Sequence, residues 1–144
     1  YVGYRYFETV PGAKEQVRYP FGYGLSYTEF EISAPELNKD TLSADGSLEA
    51  SVTVTNKGTC QGTETLQLYI QDVFASVVRP VKELKGFRKV TLEPGESRKE
   101  TFCIDETMLR FLRADGTVGS EPGTFRVWIG NSSAGKEFKE FELL

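Results

Sequence analysis

From residue 48 onward, apolar and polar positions alternate with a period of two, the spacing at which successive side chains of a strand face opposite sides of a sheet. In "LEASVTVTN", Leu48, Ala50, Val52 and Val54 share one face, and Glu49, Ser51, Thr53 and Thr55 the other. "ETLQLYIQD" repeats the pattern with Leu66, Leu68 and Ile70 inward, after the turn-rich "NKGTCQG" with its two glycines. "VKELKGFRKVTL" is a third strand region in which Gly86 marks a bulge or tight bend. "EPGES" supplies a Pro-Gly turn, and "RKETFCID" then places Phe102 and Ile104 inward with Cys103 outward. "DETMLRFL" is the one short helical candidate, capped by Asp105, with Met108, Leu109 and Leu112 clustered on one side. "LRADGTV" carries an Asp-Gly hairpin signal. In "GTFRVWIG", Phe125, Val127 and Ile129 point inward and Arg126 and Trp128 outward, and "KEFKEFELL" is the last strand.

Short strands punctuated by Gly and Pro, with almost no helix, predict an all-β, immunoglobulin-like antiparallel sandwich of about seven strands over residues 29–144. Residues 1–28 depart from this pattern and form an irregular N-terminal extension. "YVGYRYF" is aromatic without a partner strand, and the polar "ETVPGAKEQVR" follows it, so the segment reads as the tail of something larger. "YPFGYGLSYTEF" crowds aromatics and glycines where no regular helix fits. Its "GYG" lacks the third glycine, the lysine and the following helix of a phosphate-binding loop, and reads instead as a tight backbone path.

Composition narrows the chemistry. With 17 basic and 21 acidic residues the net charge is −4, which offers no footprint for nucleic acid. No apolar run reaches the roughly 20 residues of a membrane-spanning helix. Histidine is absent, which removes the commonest general base and metal ligand. Cys60 and Cys103 belong to no CxxC pattern, so no metal or cofactor is predicted; they are expected to be buried or half-exposed free thiols, with a bridge between them as the alternative in a secreted protein. The acidic residues fall on outward strand positions, in turns or at the helix cap, and no Gly-x-Ser-x-Gly elbow occurs; no residue is assigned a catalytic role. Tyr69 and Trp128 point away from the core faces of their strands, as a sugar-stacking pair or as filling for a contact with another domain. Phe74, Val77 and Val78 in "DVFASVVRP" lie outside any strand pattern, either as a partner contact or as a cap on one end of the sandwich.

Three blocks in order, "YPFGYGLSYTEF", "VTVTNKGTCQGTETLQLYI" and "RPVKELKGFRKVTLEPGES", resemble the C-terminal region of glycoside hydrolase family 3 enzymes of the β-glucosidase type. "RPVKELKGF" followed by "LEPGES" resembles their fibronectin type III-like domain. "YVGYRYFE" is similar to the end of their middle α/β sandwich domain, and "PFGYGLSYT" to the connector between the two. The resemblance implies a retaining glycosidase whose Asp nucleophile and acid/base Glu lie in upstream domains, so that this chain is a non-catalytic accessory domain that braces them. Upstream catalytic domains are then the expected partners, with homodimer contacts a further role and carbohydrate reached only through the parent enzyme. Tyr4, Tyr6, Tyr19, Phe21, Tyr23 and Tyr27 become the expected interdomain contacts. The alternative reading is a carbohydrate-binding module built on Tyr69, Trp128 and Phe74.

Overall fold

A computed structural model describes residues 1–144. The alternating segments form strands that stack as two sheets, each turning its apolar face to the other. The first sheet is centred on β4 (Ser47–Asn56), which pairs along its whole length with β7 (Ser97–Asp105). The other side of β4 is lined by β1 (Phe30–Ile32) and β2 (Glu36–Leu37), two halves of one interrupted edge. Ile32 pairs with Val54 and Glu36 with Ser51, so three residues on the edge face two on β4, a one-residue bulge. Ser33 holds it: its N–H donates to Thr53 O at 3.0 Å and its Oγ accepts from Thr53 N at 2.9 Å. Pro35, which lacks a donor, falls inside the interruption.

The second sheet runs β3 (Thr41–Leu42), β11 (Lys139–Leu143), β10 (Gly123–Gly130), β5 (Gly62–Asp72), β6 (Glu83–Leu92). All its pairs are antiparallel except β3 with β11. The expected irregularity at Gly86 is present: Leu68 pairs with Gly86 but Tyr69 with Leu84, leaving Lys85 as the extra residue. The excess of strand segments over the seven anticipated comes from the divided edge, the short β3, and a separate hairpin of β8 (Phe111–Leu112) and β9 (Val118–Gly119). That hairpin closes at the Asp115-Gly116 turn, where Gly116 takes a φ of 85°.

The core is the set that the alternation marks out. Leu48, Ala50, Val52 and Val54 of β4 meet Leu66, Leu68 and Ile70 of β5 and Phe125, Val127 and Ile129 of β10. Phe125 and Phe141 stack within it at 5.6 Å between ring centroids. The helical candidate is a single 3-10 turn, Glu106–Leu109, with Asp105 Oδ1 accepting from Met108 N at 3.3 Å. Leu112 does not join its apolar side; the chain turns extended at Arg110, and Leu112 stands exposed on β8. Cys60 and Cys103 are free and exposed.

Candidate domain interface

Residues 1–24 form an arm laid across the outer face of the second sheet. It contains α1 (Tyr4–Thr9) and a 3-10 turn at Lys14–Gln16. Six residues are too few for a helix to persist unaided, and the arm is held by contacts to the sheet. Tyr4 Oη accepts from Leu84 N at 2.8 Å, and its ring meets that of Tyr69 edge-on at 6.3 Å. Phe21 stacks on the other side of Tyr4 at 4.2 Å. Thr9 Oγ1 accepts from Val81 N at 3.1 Å, Tyr1 Oη donates to Arg79 O at 3.0 Å, and Ser133 N donates to Phe21 O at 2.8 Å.

The connector turns at Pro20–Tyr23, where Tyr23 N donates to Pro20 O at 3.0 Å and Gly22 takes a φ of 79°. The turn lies so close to the sheet that a Cβ on Gly22 would stand 2.0 Å from Gln67 Oε1. Gln67 is the reason: its Nε2 donates to Gly22 O at 3.1 Å and Asn131 O at 3.0 Å, while its Oε1 accepts from Tyr69 Oη at 2.5 Å. Burial pushes the Tyr69 phenol well above the ordinary tyrosine range, so it stays a donor. Further on, Thr28 packs against the backbone of Gly58 and Gly62; Cβ atoms there would lie 2.0 and 2.4 Å from its side chain. The glycines of "NKGTCQG" therefore make room for the connector as well as turning the chain.

A polar cluster closes the arm's edge. Lys82 Nζ donates to Ser133 O at 2.9 Å and to Gly135 O, and lies 4.6 Å from the centre of the Trp128 ring. Ser133 Oγ donates to Glu8 Oε1, and Glu8 pairs with Lys14 at 2.6 Å. Burial lowers the Lys82 ammonium to about 8, an effect that Glu8 opposes and Lys14 reinforces. Since Lys82 loses its proton earlier in the folded than in the unfolded chain, the unfolded state binds more protons above about pH 8, and stability rises with pH there until the ordinary lysine range near about 10.4. The unfolding midpoint of the native chain, read against that of Lys82→Met, should show this gain between about pH 8 and 9.5; identical slopes would mean that Lys82 carries no such penalty.

Tyr69 and Trp128 face away from the core, as the alternation indicates, but only 1% and 6% of their surfaces are exposed. Tyr69 lies beneath Tyr4 and beside Gln67; Trp128 lies beneath Lys82 and against Phe138 at 5.4 Å. Neither presents a free ring face, and Phe74 stands apart from them, exposed, in the loop after β5. The expected interdomain set divides in two. Tyr4 turns inward onto this chain's own sheet, whereas Tyr6, Tyr19, Phe21 and Tyr23 are exposed on the arm and Tyr27 is exposed on the connector just beyond it. Tyr19 and Tyr23 stack at 5.0 Å, and a groove of about 540 Å³ opens between α1 and the connector, lined by Tyr4, Phe7, Val17, Tyr19, Pro20 and Phe21. Gln67 and Lys82 carry no mark in the sequence, and Ser133 is marked there only as the last residue of "NSS", a formal glycosylation acceptor pattern, not as a contact of the arm. The outward face of "TLQLYI" is Thr65, Gln67 and Tyr69, which alternation alone reads as facing water.

Residues 64–133 match the fibronectin type III-like domain family. The chain is 48% identical over 140 residues to the periplasmic β-glucosidase of Salmonella typhimurium, which covers 97% of this chain and 18% of that protein. It is 45% identical over 125 residues to a putative β-xylosidase of Formosa agariphila, covering 87% of this chain and 16% of that protein. The crystal structure of the GH3 β-glucosidase of Bifidobacterium adolescentis superposes with a TM-score of 0.86 at 37% identity, over 99% of this chain and 20% of that one. The chain thus spans about a fifth or less of the length of these relatives.

Proposed function

We propose that the chain is a non-catalytic accessory domain bracing the catalytic domains of a glycoside hydrolase family 3 enzyme: residues 64–133 match the fibronectin type III-like domain, and nearly the whole chain is similar to a part of β-glucosidases, one of them a GH3 enzyme. The parent reaction under this reading is hydrolysis of a terminal β-linked glucose or a related sugar. The arm's two-sidedness carries the reading. Its inner side is fixed to Gln67 and Leu84 of the sheet and to Ser133 in the loop after β10, while Tyr6, Tyr19, Phe21 and Tyr23 stay exposed on it and Tyr27 just beyond it. Contiguous exposed aromatics mark contacts with protein, and a surface already ordered loses little further entropy on docking.

The test is aryl β-glucoside hydrolysis by this chain alone, and then mixed with a protein comprising the remaining domains. The chain alone should be inert, and the mixture should gain activity or several degrees of thermal stability. Turnover by the chain alone would overturn the non-catalytic reading. The burial of Tyr69 and Trp128 also argues against an independent sugar platform, so affinity electrophoresis in glucan or xylan gels should show no retardation.

A further inference from the structure

A second apolar surface lies at the end of the sandwich, away from the connector. The loop at residues 73–79 carries Phe74 and Val78, 80% and 87% exposed, and the neighbouring β8–β9 hairpin carries the cross-strand pair Leu112 and Val118, 65% and 69% exposed. Single exposed apolar side chains are ordinary, but these two segments are tied together. Ser76 donates through both its N–H, at 2.9 Å, and its Oγ to the Glu121 carboxylate, which also lies 3.9 Å from Arg113 Nε at the hairpin's base. Arg79 places its guanidinium 4.6 Å from the centre of the Phe111 ring while pairing with Glu83 at 2.9 Å. At the other end of the loop, Asp72 Oδ1 accepts from Phe74 N at 3.2 Å. The loop is therefore anchored at its start, middle and end, yet its apolar tips find no cover within the chain.

We propose that the 73–79 loop and the β8–β9 hairpin form a second docking face, occupied by the domain that precedes this one in the longer protein. The inference rests on the accessory-domain reading and extends it to a surface separate from the connector. Two observations select the occupant. The relatives are at least about five times as long as the matched region, so in them a large body of chain lies outside it. Tyr1 is held beside this loop by its hydrogen bond to Arg79 O, so in a longer protein of the relatives' kind any chain entering at Tyr1 would pass the loop. Val2, next to Tyr1 in the chain, is exposed as well.

Hydroxyl-radical footprinting of this chain and of the longer protein that contains it tests the assignment, because it reads the solvent access of Phe, Leu and Tyr side chains directly. Modification of Phe74 and Leu112 is expected to fall at least about fivefold in the longer protein, together with that of Tyr19, Tyr23 and Tyr27. Protection of the three tyrosines without Phe74 and Leu112 would overturn this inference and leave the accessory role standing. Protection of neither group would overturn both. Protection of Phe74 that grows with the concentration of this chain alone would assign the face to a second copy instead, which also overturns it.

Discussion

Alanine at position 22 should release the arm from the sheet. The φ of 79° at Gly22 lies in the left-handed region, which costs an L side chain about 1–2 kcal/mol. The added Cβ would also displace Gln67, the buried side chain that joins Gly22 O, Asn131 O and Tyr69 Oη. Leaving those groups unpaired costs about 1–3 kcal/mol more. Together these raise the population of the detached arm by at least about tenfold. Trypsin cleavage at Lys14 and Arg18, both on the arm, should accelerate by a similar factor, because cleavage tracks the open population when closing is fast. The far-UV signature of the sandwich should persist, since the core does not use the arm. Unchanged cleavage would mean that Tyr4 and Ser133 hold the arm without the connector turn.

The other large effect is expected at Asn56. Its side chain is fully buried at the junction of both sheets and the connector: Nδ2 donates to Cys60 O at 2.9 Å and Leu92 O at 3.0 Å, and Oδ1 accepts from Thr28 Oγ1 at 2.6 Å and Gly58 N at 3.0 Å. Asn56→Ala removes all four bonds and leaves the buried Leu92 O, with three partly buried partners, without replacements, a loss of roughly 3 kcal/mol. For a chain of this size the melting temperature should fall by roughly 10 °C. Asn56→Asp, which keeps the acceptor but replaces both donors with a buried charge, should not restore it. A fall of less than about 3 °C in the alanine variant would show that Thr28 and the Gly58 turn are held by other contacts.

These two residues also mark how far sequence reasoning reaches. Gly22 was legible as a glycine needed for a close backbone path, but the body it approaches was not. The resemblance pointed to an upstream domain, whereas the structure places Gln67 of this chain's own sheet against it. Asn56 had only its place at the end of a strand, where an asparagine also serves as an ordinary turn residue. Two of its partners, Gly58 N and Cys60 O, belong to the turn that follows it, as an ordinary turn asparagine would have; the other two, Thr28 Oγ1 and Leu92 O, come from distant segments that no local pattern announces.

The alternation of apolar and polar residues determined the sandwich. Side-chain direction in a strand flips with every residue, so the inward set of each strand is fixed by its own composition, and two such sheets can bury those sets only against each other. The Asp-Gly hairpin and the Asp105 cap are equally local, each set by the dihedral preferences or hydrogen-bonding reach of a few neighbouring residues. What covers the outward faces was decided by the tertiary structure alone. Tyr69 and Trp128 alternate outward like Thr53 and Thr55, yet they are buried because the arm, Lys82 and Phe138 cover them. Alternation reports on which side of its own strand a residue stands; whether that side meets water depends on where a distant segment comes to rest.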